Sequence, residues 1–249
     1  MRHEILELLK DKKALKDGGL FIIDTEKILG EAIDAGFEIT HLLYTEQALP
    51  IVDKYMDRLK DGIYETTKAS FIDRFANVKT HQGFIAVARS VNREITKYSG
   101  VNAMVLLDTI QDPANVGAII RSGAAFGFRD FLLRDCAAIY GDKAIRSSAG
   151  AVFRVNYRNV DAGELEALRT DFTFVAADVK NGIDLKRAKS AIKGKYIITL
   201  GSEGRGISEE VRKLCDLKIN IDYPGKVESL NVAAAAAIIF YEMQQQVKS

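Results

Sequence analysis

Apolar positions recur along the chain with two different periods. Helical spacing marks Ile5, Leu8 and Leu9, and again Ile28, Ala32 and Ile33, where residues three and four apart share a face. Short unbroken apolar runs follow at Leu20–Ile23, at Leu42–Tyr44 and in GFIAVA at 83–88. Together they predict a small α/β unit in the first part of the chain. The stretch RSVNREITKYSG, 89–100, is polar and aperiodic, as a linker is. From residue 101 apolar runs at Ala103–Leu107, Phe131–Leu133, Phe172–Ala177, Tyr196–Leu200 and Lys218–Ile221 alternate with helical stretches at Pro113–Phe126, Lys143–Ala149, Ser208–Leu214 and Ser229–Gln246. This alternation predicts an α/β fold with a mostly parallel sheet covered by helices. Domains are expected at 1–92 and 103–249, joined by 93–102. In such sheets ligands gather where strands end, which singles out the loops after 107, 200 and 221.

The first of these loops is LLDTIQDPANVGAIIRSGAAFGF, 106–128, in which Asp112 is suited to cap a helix and Pro113 to begin it. Gly117 lies one turn before Arg121, so the long side chain has a clear path back toward the helix mouth, where Asn115 sits. A guanidinium and an amide beside free backbone N–H groups suit a phosphate or a ribose hydroxyl. Alone, N-x-G-x-x-x-R fits a surface arginine on an ordinary helix better.

The second loop is YIITLGSEGRGIS, 196–208, whose three closely spaced glycines permit a tight turn and close approach to a flat ligand. Its order, G-x-x-G-x-G, is neither the dinucleotide fingerprint nor a P-loop, which counts against NAD and ATP. Glu203 either pins a cation such as Arg121 or is a solvated turn carboxylate. In the third, INIDYPGKVESLNVAAAAAIIFYEM, 219–243, Pro224-Gly225 signals a turn and Ser229 is the expected N-cap of a long apolar helix. Ala233–Ala237 let another backbone come close, although the same pattern describes a packed terminal helix.

Composition narrows the classes. Of 249 residues 47% are hydrophobic and 28% charged, which excludes disordered, collagen-like and disulfide-scaffold chains. With 35 Lys and Arg against 34 Asp and Glu, the net charge of +1 lends no support to a nucleic-acid partner. Shorter windows differ: Lys180, Lys186, Arg187, Lys189, Lys193 and Lys195 face only Asp184, either as a solvated face or as a local RNA contact. Cys136 and Cys215 form no C-x-x-C, so reduced thiols rather than zinc ligands or a redox pair are expected, and no metal site. The charged start MRHEILELLKDKK and the shortness of the apolar run Val232–Tyr241 lead to the expectation of a cytoplasmic protein.

In their order, NVGAIIR (115–121), GSEGRGIS (201–208) and SLNVAAAAA (229–237) resemble the three signature motifs of the SpoU, or TrmH, family of RNA ribose 2′-O-methyltransferases. KAIRSSAGAVF (143–153) is similar to the family between its first and second motifs, and HQGFIAVA (81–88) to the end of the substrate-binding domain of many members. The resemblance implies a SPOUT-class catalytic domain with a deep trefoil knot, acting as a homodimer on S-adenosylmethionine. It implies a ribosomal-protein-like RNA-binding domain at 1–92. By the same resemblance the backbone at Gly201, Ile221 and Leu230 holds the cofactor, Leu200 and Ser229 line it, and Asn115, Arg121, Glu203, Ser229 and Asn231 form the catalytic set. One departure stands out: Ile221-Asp222-Tyr223 replaces the Ile-Pro-Met of many members, with proline arriving at Pro224, and a retuned pocket wall with retained activity is expected.

The chemistry favours oxygen methylation over carbon methylation. His3, His41 and His81 all precede the catalytic domain, so the commonest general base is missing there, and neither cysteine lies in a candidate loop. A guanidinium holds its proton tightly, so Arg121 is assigned to the phosphate next to the target ribose and to the nascent alkoxide, with Glu203 and Asn231 orienting it. Ribosomal RNA is the expected substrate; tRNA, a non-catalytic RNA-binding module and a doubly wound dehydrogenase are the rivals.

Overall fold

The computed structural model describes residues 2–11, 15, 19–76, 81–90, 98, 100–177, 182–224, 227 and 229–244. The chain divides into two compact units, one of residues 1–92 with 140–153, the other of 93–139 with 154–249. The periodicity of 143–149 reveals a helix but carries no sign of the unit it joins.

In the first unit α1 (Arg2–Lys10), α2 (Glu26–Asp34), α3 (Leu49–Met56) and α4 (Ala69–Phe75) accompany a mixed sheet. Its strands β1 (Leu20–Ile23), β2 (Glu38–Tyr44), β3 (Tyr64–Thr66) and β4 (Phe84–Arg89) lie in the order β1-β4-β2-β3. β4 is antiparallel to both neighbours and β3 is parallel to β2. Ile5, Leu9, Ile22, Leu43, Ile72 and Val87 share one core. Tyr140 stacks on Phe21 at 5.4 Å between ring centroids and Phe153 lies 4.9 Å from Phe37, which ties the segment 140–153 into this unit.

The second unit holds β5 (Ala103–Asp108), β6 (Asp130–Arg134), β7 (Asn156–Asn159), β8 (Thr173–Ala177), β9 (Ile183–Asp184), β10 (Tyr196–Gly201) and β11 (Leu217–Asn220). They form a seven-stranded sheet, β7-β6-β5-β10-β8-β11-β9, in which every pairing is parallel. β5 is buried along its whole length and β10 along all but its last residue, as a sheet covered on both faces requires. One face packs Met104, Leu106, Phe174 and Ile197 against Leu165 and Val211.

The helices α5 (Pro113–Ala125) and α10 (Val232–Met243) pack together. A Cβ added at Gly123 of α5 would lie 2.7 Å from Phe131 and 3.4 Å from Phe240 of α10, so the close approach needs glycine. α6 (Asp142–Ser147), of the first unit, and α7 (Ala162–Leu168), α8 (Leu185–Ala191) and α9 (Glu209–Arg212), of the second, are the other described α-helices. None of the described helices is long and apolar enough to cross a membrane.

One expectation changes. The last helix begins at Val232, capped by Asn231 and not by Ser229, because the Asn231 Oδ1 accepts from the backbone N–H of Ala233 and Ala234 at 3.0 and 3.2 Å. The basic window has Asp184 capping α8, whereas Lys180 and Gly225 lie outside the described residues.

Candidate active site

The three motif loops converge at the C-terminal ends of β5 and β10. Asp112 caps α5, its side chain accepting from Ala114 N at 3.0 Å, and Pro113 occupies the first turn. That start places Asn115 in the first turn. The loop after β10 is a tight hairpin closed by Ser202 N to Gly206 O, 3.1 Å, and Gly206 N to Ser202 O, 2.8 Å, with Glu203 at its tip. A Cβ at Gly201 would stand 2.2 Å from the backbone of Gly206 and Ile207, so only glycine closes this turn.

The Asn231 cap fixes the orientation of its amide. With Oδ1 turned to the helix mouth, Nδ2 faces outward, where it donates to Asn115 Oδ1 at 3.2 Å and also to Glu203 Oε1. Asn115 Nδ2 donates to the same carboxylate at 3.2 Å. Asn115, Glu203 and Asn231 thus form one closed network, although all three side chains border solvent. Beside it opens a cavity of about 420 Å³ lined by Thr109, Gln111, Asn115, Ser202, Glu203 and Arg205.

Arg121 stands apart. It is exposed on α5, and none of the described carboxylates pairs with it. The expected pairing with Glu203 is not made; that carboxylate accepts from two amides instead, both through Oε1. Gly117 is buried within the helix packing. Ser229 is exposed and precedes the helix by three residues.

Of the expected cofactor positions, Ile221 and Leu230 line a second, apolar cavity of about 70 Å³, with Ile219, Tyr223, Ala235 and Ile239. The Asn220 Oδ1 beside Ile221 is buried with no hydrogen-bond partner among the described residues. Tyr223 donates its hydroxyl to Val227 O at 3.4 Å, so the residue in the family's methionine position makes its own local contact. Leu200 is buried in β10 and Gly201 opens the hairpin. Both cysteines are inert: burial pushes the thiols of Cys136 and Cys215 up to about 11.

Residues that motif spacing did not single out also shape the site. Thr109 takes a left-handed conformation at φ 59°, and Gln111 and Arg205 line the larger cavity. Asp108 is fully buried at the end of β5, paired with Arg134 at 2.9 Å. Burial disfavours the Arg134 cation, but the hydrogen bond to Asp108 and the charges of Asp108, Glu210 and Asp135 outweigh it and raise its pKa. A carboxylate closing the apolar run AMVLL was the available sign of Asp108.

A seven-stranded parallel sheet with its polar network at the C-terminal edge is the fold of the SPOUT-class methyltransferases. The family model of the SpoU rRNA methylases matches residues 102–241, and the chain belongs to that family. An uncharacterized tRNA/rRNA methyltransferase of Archaeoglobus fulgidus is 35% identical over 153 residues, 59% of this chain and 66% of that one. The 23S rRNA (guanosine(2553)-2′-O)-methyltransferase RlmP of Bacillus subtilis is 25% identical over 241 residues, 95% of this chain and 93% of its own. In fold, the chain is similar to the SpoU methyltransferase AviRb of Streptomyces viridochromogenes, solved in complex with AdoMet, with a TM-score of 0.82 at 24% identity over 98% of this chain and 97% of that one. The chain spans about half to two thirds of the length of several curated relatives it matches, between 47% and 66% for the first of them.

Proposed function

We propose that the protein transfers a methyl group from S-adenosylmethionine to a ribose 2′-hydroxyl in structured RNA, ribosomal RNA foremost, in the cytoplasm. The observation that carries this reading is the meeting of Asn115, Glu203 and Asn231, one from each motif, beside an open cavity. The full-length likeness to RlmP favours ribosomal RNA, and the name borne by the A. fulgidus relative keeps tRNA as the second reading.

The smaller cavity, at about 70 Å³, suits one end of the cofactor and not the whole molecule. Its apolar walls at Ile219, Ile221, Leu230 and Ile239 fit a flat purine face. Backbone at Gly201, Ile221 and Leu230 would hold it, with Leu200 and Ser229 alongside. Bound there, S-adenosylmethionine supplies an electrophilic methyl on a cationic sulfonium. The chain's own part is to orient the ribose and to stabilise the charge that develops on its oxygen. The Glu203 carboxylate fixes the two amides, and the exposed Arg121 guanidinium, which pairs with no carboxylate among the described residues, would take the adjacent phosphate and the nascent alkoxide.

The first ninety-two residues would select the RNA, with 93–102 as the linker and 103–249 threaded as the family's trefoil knot. Ile238 and Tyr241 are 41% and 61% exposed on α10, and this apolar face supports a homodimer. The test is incubation of the full chain with methyl-labelled cofactor and total RNA, followed by mapping. Label on a 2′-oxygen of ribosomal RNA is expected; label on tRNA alone moves the substrate, and label on protein, or none, overturns the reading.

A further inference from the structure

We propose that Asp108 and Arg134 are a positioning pair, holding the roots of the Asn115 loop and the Glu203 hairpin in one register. This rests on the assignment of Asn115 and Glu203 to the methyl-transfer site. The two residues are cross-strand partners at the ends of β5 and β6, and Arg134 Nη1 donates to Asp108 Oδ1 at 2.9 Å. The other oxygen of Asp108 accepts from the backbone N–H of Ser208 at 2.6 Å, 100 positions away. Ser208 ends the Glu203 hairpin and caps α9, and its hydroxyl accepts a second bond from Arg134 at 3.4 Å. Arg134 also pairs with Glu210 on that helix.

The other loop starts from the same point. Asp108 is followed directly by Thr109, whose N–H donates to Arg134 O at 2.8 Å, and the chain then runs to the Asp112 cap and Asn115. Ser202 and Gly206 close the hairpin on itself, so the place of its tip is set by its two attachments, Gly201 at the end of β10, which is the cross-strand partner of Asp108, and Ser208. One carboxylate therefore sets the origin of both halves of the network. Stability alone does not account for the pair, since taking the fully buried Asp108 and the partly buried Arg134 out of water offsets much of their attraction. Registry does account for it: a small displacement of a positioned group costs far more rate than binding.

The test compares wild type, Asp108→Asn/Arg134→Met, Arg134→Lys and Asn115→Ala for turnover, for RNA KM and, by calorimetry, for S-adenosylmethionine affinity. The double variant leaves no lone buried charge, and its kcat is expected to fall about 10²-fold with cofactor affinity and RNA KM unchanged. Arg134→Lys keeps a cation beside Asp108 but not the fork that also reaches Ser208 and Glu210, and is expected to lose about tenfold in kcat with cofactor affinity unchanged. It is also the variant on which the outcome rests should the double one not fold. Wild-type kcat in the double variant, or in Arg134→Lys where the double one does not fold, overturns the positioning role, and so does a loss of kcat matched by an equal loss of cofactor binding. Should Asn115→Ala turn over normally, the assignment of the site itself fails instead.

Discussion

Asn231 reaches Asn115 across 116 positions of sequence, Nδ2 to Oδ1 at 3.2 Å, while its own Oδ1 caps α10. One amide thus serves helix and site at once. Asn231→Asp keeps the cap oxygen but turns an acceptor against Glu203. Turnover is expected to fall 10²–10³-fold, about what losing one preorganised donor costs, with the melting temperature nearly unchanged. Asn231→Ala loses the cap as well, worth about 1 kcal/mol, and should also melt earlier. Circular dichroism beside a methyl-transfer assay separates the two; equal melting losses in both variants would contradict the shared role.

Thr109 holds φ at 59°, a conformation that β-branched residues adopt only under constraint. The constraint is visible: Asp108 is anchored on one side and Thr109 N–H donates to Arg134 O on the other. Asn tolerates this region far better. Thr109→Asn is expected to stabilise the protein by about 1 kcal/mol, raising the melting temperature by roughly 2–4 °C for a chain of this size. A lower melting temperature in a thermal scan would show that the threonine methyl contributes more by packing than its backbone costs.

How far the fold could be read from the chain depended on burial. β5, β8 and β10 are covered on both faces, so they stand out as unbroken apolar runs, and all three were expected where they lie. β7, whose sequence is NYRN, and the two-residue β9 carry no apolar pattern because each lies at an edge of the sheet, and both went unseen. At the site, motif spacing brought Asn115, Glu203 and Asn231 to one place. It misplaced the helix cap, since Ser229 and Asn231 are both good caps and only tertiary contact with Asn115 and Glu203 selects between them. The Asp108–Arg134 pair was beyond reach for a related reason: it depends on strand register, which no local pattern encodes.

The thiols supply a test of the core around the site. Burial raises both Cys136 and Cys215 from 9.0 to about 11, so each is protonated at neutral pH and resists alkylation in the folded protein. The folded state holds these protons where the unfolded state has released them. Their contribution to stability is therefore complete below about pH 9 and is lost as pH rises toward 11. Melting temperature is expected to decline across that window, and less so in Cys136→Ala/Cys215→Ala. Rapid labelling of both thiols at pH 7.5 without denaturant would mean that the strand ends are more open than described.

Arg121 carries the sharpest expectation for the reaction, because exposure and the absence of a described carboxylate partner leave its guanidinium available to the substrate. If it stabilises the alkoxide and grips the neighbouring phosphate, its removal acts on the transition state and not on the cofactor. Arg121→Ala is expected to lose 10²–10³ in turnover, about 3–4 kcal/mol of barrier, while calorimetry finds S-adenosylmethionine affinity unaltered. Arg121→Lys should lose nearly as much, since a point charge cannot reproduce the planar fork that spans phosphate and hydroxyl together. A wild-type rate in Arg121→Ala would remove the residue from the reaction and leave the Asn115–Glu203–Asn231 network to act without it.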